Sequence, residues 1–440
     1  MEIKFDSLFL EKEQMRSAGV ALGSYLDELK ELVRKKSGER PEASLLLPED
    51  KDALESVLKL KFEKINHSLK YVLVLGIGGS NLGAKAVYDS MRGYFDLAKL
   101  NTWPKMLFAD TTDPAWLMEL ASFLEKNINK PDEILLISVM KSGKTKETLF
   151  NTEFFYGILK RQLGEKEAKD RLVFITGETT ELWGFAKDYD IARLAIPISV
   201  GGRFSVFSPA GLFPLAVAGF DIRALLEGAH SVLDRCLDHH VLDNMAAVSA
   251  IGMFMHYGKG KKIHDTFVFH PELESLGKWY RQLLAESIGK EETTDGRHIH
   301  SGITPTVSVG STDLHSVFQL YMAGPRDKFT TFVHTEKREH YGRPLKEDLL
   351  GALSSSVIGK NATDLMAAIL GGVKATYQKN QLPFVEVILP GISEYSIGQF
   401  MQWKMVEVML LAKLFGVDAF NQPNVEEYKV ETARILAEGA

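Results

Sequence analysis

From Tyr71 onward the chain alternates short apolar runs with helix-length amphipathic stretches, a rhythm that few folds accommodate. The first runs are Tyr71–Leu75, Met106–Ala109, 133–139 and 171–176. The second set is Thr266–His270, Thr306–Gly310, Phe329–His334 and Phe384–Leu389. Apolar runs with helical stretches between them suit parallel strands buried on both faces. The pattern predicts an α/β protein: two tandem α/β domains, each a parallel sheet flanked by helices, with N-terminal and C-terminal helical segments. Residues 1–60 are charge-rich and helical in pattern, show no strand candidate, and are interrupted by Pro41 and Pro48. They read as an N-terminal helical arm. A helix-rich passage from Ser208 to Lys259 separates the two sets, and a long apolar-periodic helix spans Ser396 to Gly416. The expected organisation is therefore an arm over 1–60, a first α/β domain over 61–225, a second over 226–410 and a C-terminal segment over 411–440.

The charge balance narrows the partners. The formal net charge is −6, and no Lys/Arg block is long enough for a nucleic-acid arm or a membrane-surface patch. An anionic ligand must be small and locally held. The longest apolar runs fall far short of a membrane span, and Met1–Ser7 lacks the basic start and apolar run of a secretory signal. Cys236 is the only cysteine, so no internal disulfide can form, which suits a reducing compartment. A cytoplasmic protein with no nucleic-acid or membrane partner is expected.

Three loops carry glycine or hydroxyl chemistry. The first is Gly76-Ile-Gly-Gly-Ser-Asn-Leu-Gly83, where a buried strand enters a turn that opens a helix, so backbone amides can approach an oxyanion. A dinucleotide fingerprint would need glycine where Asn81 stands. The second, Met140-Lys-Ser-Gly-Lys-Thr145, contains Gly-Lys-Thr, but a Walker loop would need glycine where Ser138 stands. What remains is a strand-end turn whose hydroxyls and backbone donors, with Lys141 and Lys144 nearby, suit one compact phosphate monoester. The third, Gly201-Gly-Arg-Phe-Ser205, places Arg203 among apolar neighbours, where it needs a carboxylate or a ligand anion.

In Trp279–Lys290 the apolar stripe Trp279, Tyr280, Leu283, Leu284 and Ile288 has Gln282 and Glu286 one turn apart on its edge. Considered alone, Glu286 reads first as a surface partner of Lys290. His298, His300, His239 and His240 lack the spacing of a metal site, whereas His315 follows a strand end, where α/β sheets present functional groups.

Taken together and in order, the two loops at Gly76–Gly83 and Gly201–Ser205, then Ala285-Glu-Ser-Ile-Gly-Lys290, Asp313-Leu-His-Ser316 with Gln319-Leu-Tyr and Gly324-Pro-Arg-Asp-Lys328, and Asn421-Gln-Pro-Asn-Val-Glu426 with Lys429, resemble the motifs of the glucose-6-phosphate isomerase family. The resemblance spans about Tyr71 to Lys429. It implies two sugar-isomerase domains, a homodimer, and interconversion of glucose 6-phosphate and fructose 6-phosphate in glycolysis and gluconeogenesis, with no metal or redox cofactor. It also implies Glu286 as the base, Arg203 as stabiliser of the enediolate, and His315 and Lys429 as the ring-opening pair, His315 coming from the neighbouring subunit. Gly79, Ser80, Lys141, Ser142, Thr145, Gln282 and Gln422 match positions that contact the sugar or phosphate. The chain departs from the usual family residues at Met140, Lys144, Leu314, Asn421 and Tyr428. A sensor that binds sugar phosphate without turnover, and a nucleotidase built on Gly143-Lys144-Thr145, are the competing readings.

Overall fold

The computed structural model describes residues 1–336 and 342–438. Twelve strands are described: β1 (Glu2–Lys4), β2 (Tyr71–Leu75), β3 (Lys105–Ala109), β4 (Ile134–Met140), β5 (Leu172–Thr176), β6 (Ala192–Ala195), β7 (Ile263–Val268), β8 (Lys290–Glu292), β9 (His298–Ser301), β10 (Thr304–Val309), β11 (Lys328–Thr335) and β12 (Phe384–Leu389). β2–β6 form a wholly parallel sheet in the order β3-β2-β4-β5-β6. The second sheet runs β1-β12-β11-β7-β10, parallel except for β1, and β8 and β9 form a separate antiparallel pair. The expected α/β architecture with helices flanking parallel sheets is what the chain adopts.

The differences from expectation have physical causes. β1 lies within the arm read as strand-free; three residues with no buried face carry no strand pattern, and they pair only because Val387 and its neighbours present an open edge. β6 escapes the sequence pattern for the same reason: it is short and only half-buried. β7 starts earlier than its apolar run because His264 and Asp265 are buried strand residues with partners. His264 Nε2 bonds Thr331 Oγ1 at 2.9 Å, and Asp265 Oδ1 accepts from Thr306 Oγ1 at 2.6 Å and Ser308 Oγ at 3.1 Å. Burial lifts the Asp265 carboxyl to about 6.

The core centres on the helix Glu394–Phe415, buried continuously from Ser396 to Ala412. Phe400 and Trp403 on it, and Trp279 and Tyr280 on the neighbouring helix Glu274–Ile288, are enclosed, each contributing on the order of 1.5–3 kcal/mol by burial. It meets the helix Ile222–Ser231 backbone to backbone: a Cβ on Gly228 would lie 2.0 Å from Tyr395 O, and one on Gly398 2.1 Å from Leu225 O. The expected divisions at 225 and 410 fall inside these two helices. Among the described residues, no helix is long and apolar enough to cross a membrane.

Candidate active site

In the first sheet the chain leaves β2 for β3 on one side, then crosses back to β4 on the other, so the loops after β2 and β4 diverge around a crevice at the carboxyl ends of the strands. Such a switch point is where open α/β sheets take ligands. Gly78–Ser80 makes one tight turn after β2, and residues 141–145 lead from β4 to the helix Lys146–Leu163. Thr145 is the N-cap of that helix but makes no side-chain capping bond. Ser142 is exposed, its hydroxyl accepting from Lys144 N at 3.3 Å. Lys141 is half-buried, and burial, then the nearby Arg203 charge, lower its pKa.

The first and third loops touch through glycine. A Cβ on Gly79 would fall 2.2 Å from Gly202 C and 2.5 Å from Arg203 N, so no other residue fits there without displacing backbone. Gly78, at φ +59°, leaves room for Gln282: a Cβ there would lie 2.8 Å from Gln282 Nε2. Ser80 is half-buried beside this contact. The approach carries Arg203 against the last turns of the helix Glu274–Ile288, where Gln282 and Glu286 stand.

Arg203 is the hub. Its Nε donates to Ser287 Oγ at 2.9 Å; Nη1 donates to Glu286 Oε2 at 3.2 Å and Gln422 Oε1 at 2.6 Å; Nη2 donates to Ala419 O at 2.5 Å, Asn421 O at 3.3 Å and Glu286 O at 3.4 Å. All five N–H groups are engaged. Burial lowers its pKa, opposed by the charges of Glu286 and Asp418. The arginine that required an anionic partner thus has Glu286. The Glu286 side chain is 28% exposed against 2% for Arg203, and its other oxygen accepts from Gln282 Nε2 at 3.0 Å. Lys290, which the helix-edge reading paired with this carboxylate, bonds instead to the Glu286 backbone oxygen at 2.8 Å. The Phe204 and Phe420 rings, 5.1 Å apart, close the same seam.

Arg203, Glu286, Gln282, Gln422 and Gly79 are therefore brought together, with Lys141 close enough for its charge to be felt. His315 and Lys429 are not joined to them. His315 is exposed at the end of the turn Thr312–His315 after β10, a turn tied by Asp313, which accepts from Val309 N at 2.7 Å and Ser316 Oγ at 2.7 Å. Lys429 lies on the helix Val425–Ala437, which buries no residue, and pairs with Glu426 at 2.6 Å. Ser287 and the carbonyls of Ala419 and Asn421 are contacts that sequence reasoning did not reach. Ser287 and Asn421 lie within motifs that carry the family resemblance, but a contact through a backbone carbonyl leaves no mark in the sequence. Outside this group His298 approaches Glu292 at 3.2 Å and His239 approaches Asp27 at 3.2 Å.

Comparison with known proteins agrees over nearly the whole chain. Residues 26–439 match the family model described as phosphoglucose isomerase. A glucose-6-phosphate isomerase of Carboxydothermus hydrogenoformans is 31% identical, covering 99% of this chain and 94% of that relative. One from Rubrobacter xylanophilus is 33% identical, covering 96% of each. Among solved structures, a hypothetical protein of Thermus thermophilus superposes with a TM-score of 0.84 at 30% identity, covering 99% of this chain and all of that one. A glucose-6-phosphate isomerase of Chlamydia trachomatis shares the fold, with a TM-score of 0.80 at 18% identity over 99% of this chain and 88% of that one.

Proposed function

Because the chain belongs to the phosphoglucose isomerase family, we propose that Glu286, held between Arg203 and Gln282, is the base of its aldose–ketose isomerisation. The enzyme interconverts D-glucose 6-phosphate and D-fructose 6-phosphate. The phosphate sits at the switch point, on the backbone around Gly79 and Ser80, the hydroxyls of Ser142 and Thr145, and the Lys141 ammonium. Ring opening moves the C1 hydroxyl proton off and a proton onto the ring oxygen; His315 and Lys429 serve this step. Glu286 then takes the C2 proton, the C–H electron pair becomes the C1–C2 double bond of a cis-enediolate, the O2 hydroxyl proton passes to O1, and the proton held by Glu286 returns to C1 as the C2 carbonyl forms. Atoms and electrons balance within the sugar, so the step needs no external redox partner.

The observation that carries this reading is the Arg203–Glu286 contact. With every Arg203 donor engaged, a developing oxyanion reaches the guanidinium only by exchange, and the partly exposed Glu286 carboxylate is the partner best able to leave. Glu286 moves to the C2 proton as the enediolate oxygen takes its place, which puts the electrostatic stabilisation in the transition state. Gln422 stays on Arg203 and orients it.

The exposure of His315 in the single chain supports its delivery to a neighbouring subunit's cleft, and hence a homodimer. A lone free thiol, the buried Cys236, supports a cytoplasmic setting, where the enzyme serves glycolysis and gluconeogenesis. The test is coupled conversion of fructose 6-phosphate to glucose 6-phosphate by wild type and Glu286→Gln. Turnover falls by at least ~10²-fold in the variant, as on losing a general base; equal rates would remove Glu286 from the role.

A further inference from the structure

Lys290, the first residue of β8, is buried, and its ammonium points all three protons at oxygens without formal charge. It donates to Glu286 O at 2.8 Å, to Asn421 Oδ1 at 3.1 Å and to Asn421 O. Glu286 O belongs to the last turn of its helix, where carbonyls lack intrahelical donors and a cation is favoured. Simple capping would need only that bond. The other two reach a segment 131 residues further along the chain. Arg203 Nη2 donates to the same two carbonyls, so both cations straddle one seam. Without them, two acceptors would face each other across it, each a buried polar group with no donor.

The seam matters because the chain just beyond it carries functional groups. Gln422, the next residue, holds Arg203, and the helix carrying Lys429 begins at Val425. The β8–β9 hairpin braces the same stretch: Thr294 N donates to Gly416 O at 2.8 Å and Asn424 Nδ2 to Glu291 Oε2 at 3.1 Å.

We infer that Lys290 is a positioning residue of the isomerase: clamped between the carboxyl end of the Glu286 helix and Asn421, its ammonium sets where Gln422 and the root of the Lys429 helix stand relative to Glu286. The inference rests on the proposed role of Glu286 as base. The charged groups facing Lys290 are Arg203 from the glycine loop, Glu286 from the helix and Asp418 from the preceding turn. Burial, then Arg203, lower its pKa to about 8 against the opposing pull of Asp418 and Glu286. The ammonium is therefore whole below about pH 8, and as pH rises through that value one of the three oxygens loses its donor.

The test measures kcat and KM for fructose 6-phosphate from about pH 6 to about pH 10, on either side of the Lys290 transition, in wild type, Lys290→Met, Lys290→Arg, Asn421→Asp and Glu286→Gln. Lys290→Met lowers kcat by ~10-fold or more, the cost of a misplaced catalytic group, while KM changes little because the phosphate is held by the first sheet. Lys290→Arg keeps most of kcat and carries the alkaline limb to higher pH, since a guanidinium does not deprotonate there. Asn421→Asp shifts the limb in the same direction by adding a carboxylate that favours the charged form. A wild-type kcat in Lys290→Met would overturn the inference. So would an alkaline limb unmoved in both Lys290→Arg and Asn421→Asp, two substitutions that keep the clamp's contacts and so bear on the question even where Lys290→Met fails to fold. Full activity in Glu286→Gln would overturn the base assignment alone, leaving the Lys290 effects to be read independently.

Discussion

The helix Glu274–Ile288 touches two ion pairs, and their designs differ. On its inner face Tyr280 donates at 2.5 Å to Glu407, which also accepts from Lys404 at 2.9 and 3.0 Å and from Ser249. Both charged side chains there have no exposure, and the Lys404 ammonium lies 3.9 Å from the Trp403 ring centre and 4.3 Å from that of Tyr280. Burial, then the charge of Glu407, push the Tyr280 hydroxyl far above its ordinary range. On the outer face a single 3.2 Å contact joins Arg203 to a carboxylate that water can reach. Every group in the first set is satisfied from several sides, so no member can leave cheaply. In the second set Arg203 is held mainly by Ser287, Gln422 and backbone carbonyls, and Glu286 is joined to it by one contact through a side chain that is 28% exposed. The same helix thus meets an enclosed pair at one face and a partly exposed carboxylate at the other.

Breaking the inner pair should give the largest effect. Lys404→Met leaves Glu407 charged and buried, and equilibrium unfolding in denaturant should show a loss of ~3–5 kcal/mol. Lys404→Met combined with Glu407→Gln removes the stranded charge while keeping an acceptor for Tyr280, and should regain part of that loss. If the double variant were the less stable, the inner set would not be the closed unit described. Next comes Glu286→Gln, whose fall of at least ~10²-fold in turnover corresponds to about 2.7 kcal/mol of barrier, with a melting temperature close to wild type. A large drop in melting temperature would make the outer pair structural and erase the contrast. Gly79→Ala forces a Cβ into the Gly202–Arg203 backbone and should destabilise by ~1–3 kcal/mol while raising KM, because the same turn is proposed to hold the phosphate. The smallest effect belongs to Lys144→Thr. Its 3.6 Å contact with Glu181 is between exposed side chains, so stability should change by under ~0.5 kcal/mol.

The two regions also differ in how far they could be read from sequence. The strands around β2 and β4 were legible because every residue of Tyr71–Leu75 and Ile134–Met140 is buried and apolar or small. The loops after them were legible because glycine, hydroxyl and lysine at a strand end restrict what the turn can do. Arg203 announced its need for a partner by its apolar neighbours. Its neighbours do not say which partner it finds, since Glu286 is 83 residues away and Gln422 is 219; only the family resemblance puts Arg203 and Glu286 in one cleft. The inner pair was hidden for the opposite reason: Lys404 and Glu407 sit in a helix whose pattern reads as apolar-periodic, and charges three residues apart look like a solvated face until the helix is seen to be enclosed all round. His264 and Asp265 misled in the same way, their polarity shortening a strand that burial and hydrogen bonding restore.

The three residues of β1 set a timing problem for the growing chain. Their pairing partners, Glu386–Ile388, lie far along the chain, and Leu8, whose side chain is buried and whose carbonyl meets His256 Nε2 at 2.8 Å, also waits for distant chain. At ~5–20 residues per second of synthesis, this segment stays unpaired on the order of tens of seconds after it leaves the ribosome. The charges of Glu2, Lys4 and Asp6 keep it soluble and unattractive as a strand during that interval. The second sheet can complete its edge only once residues 386–388 have been made.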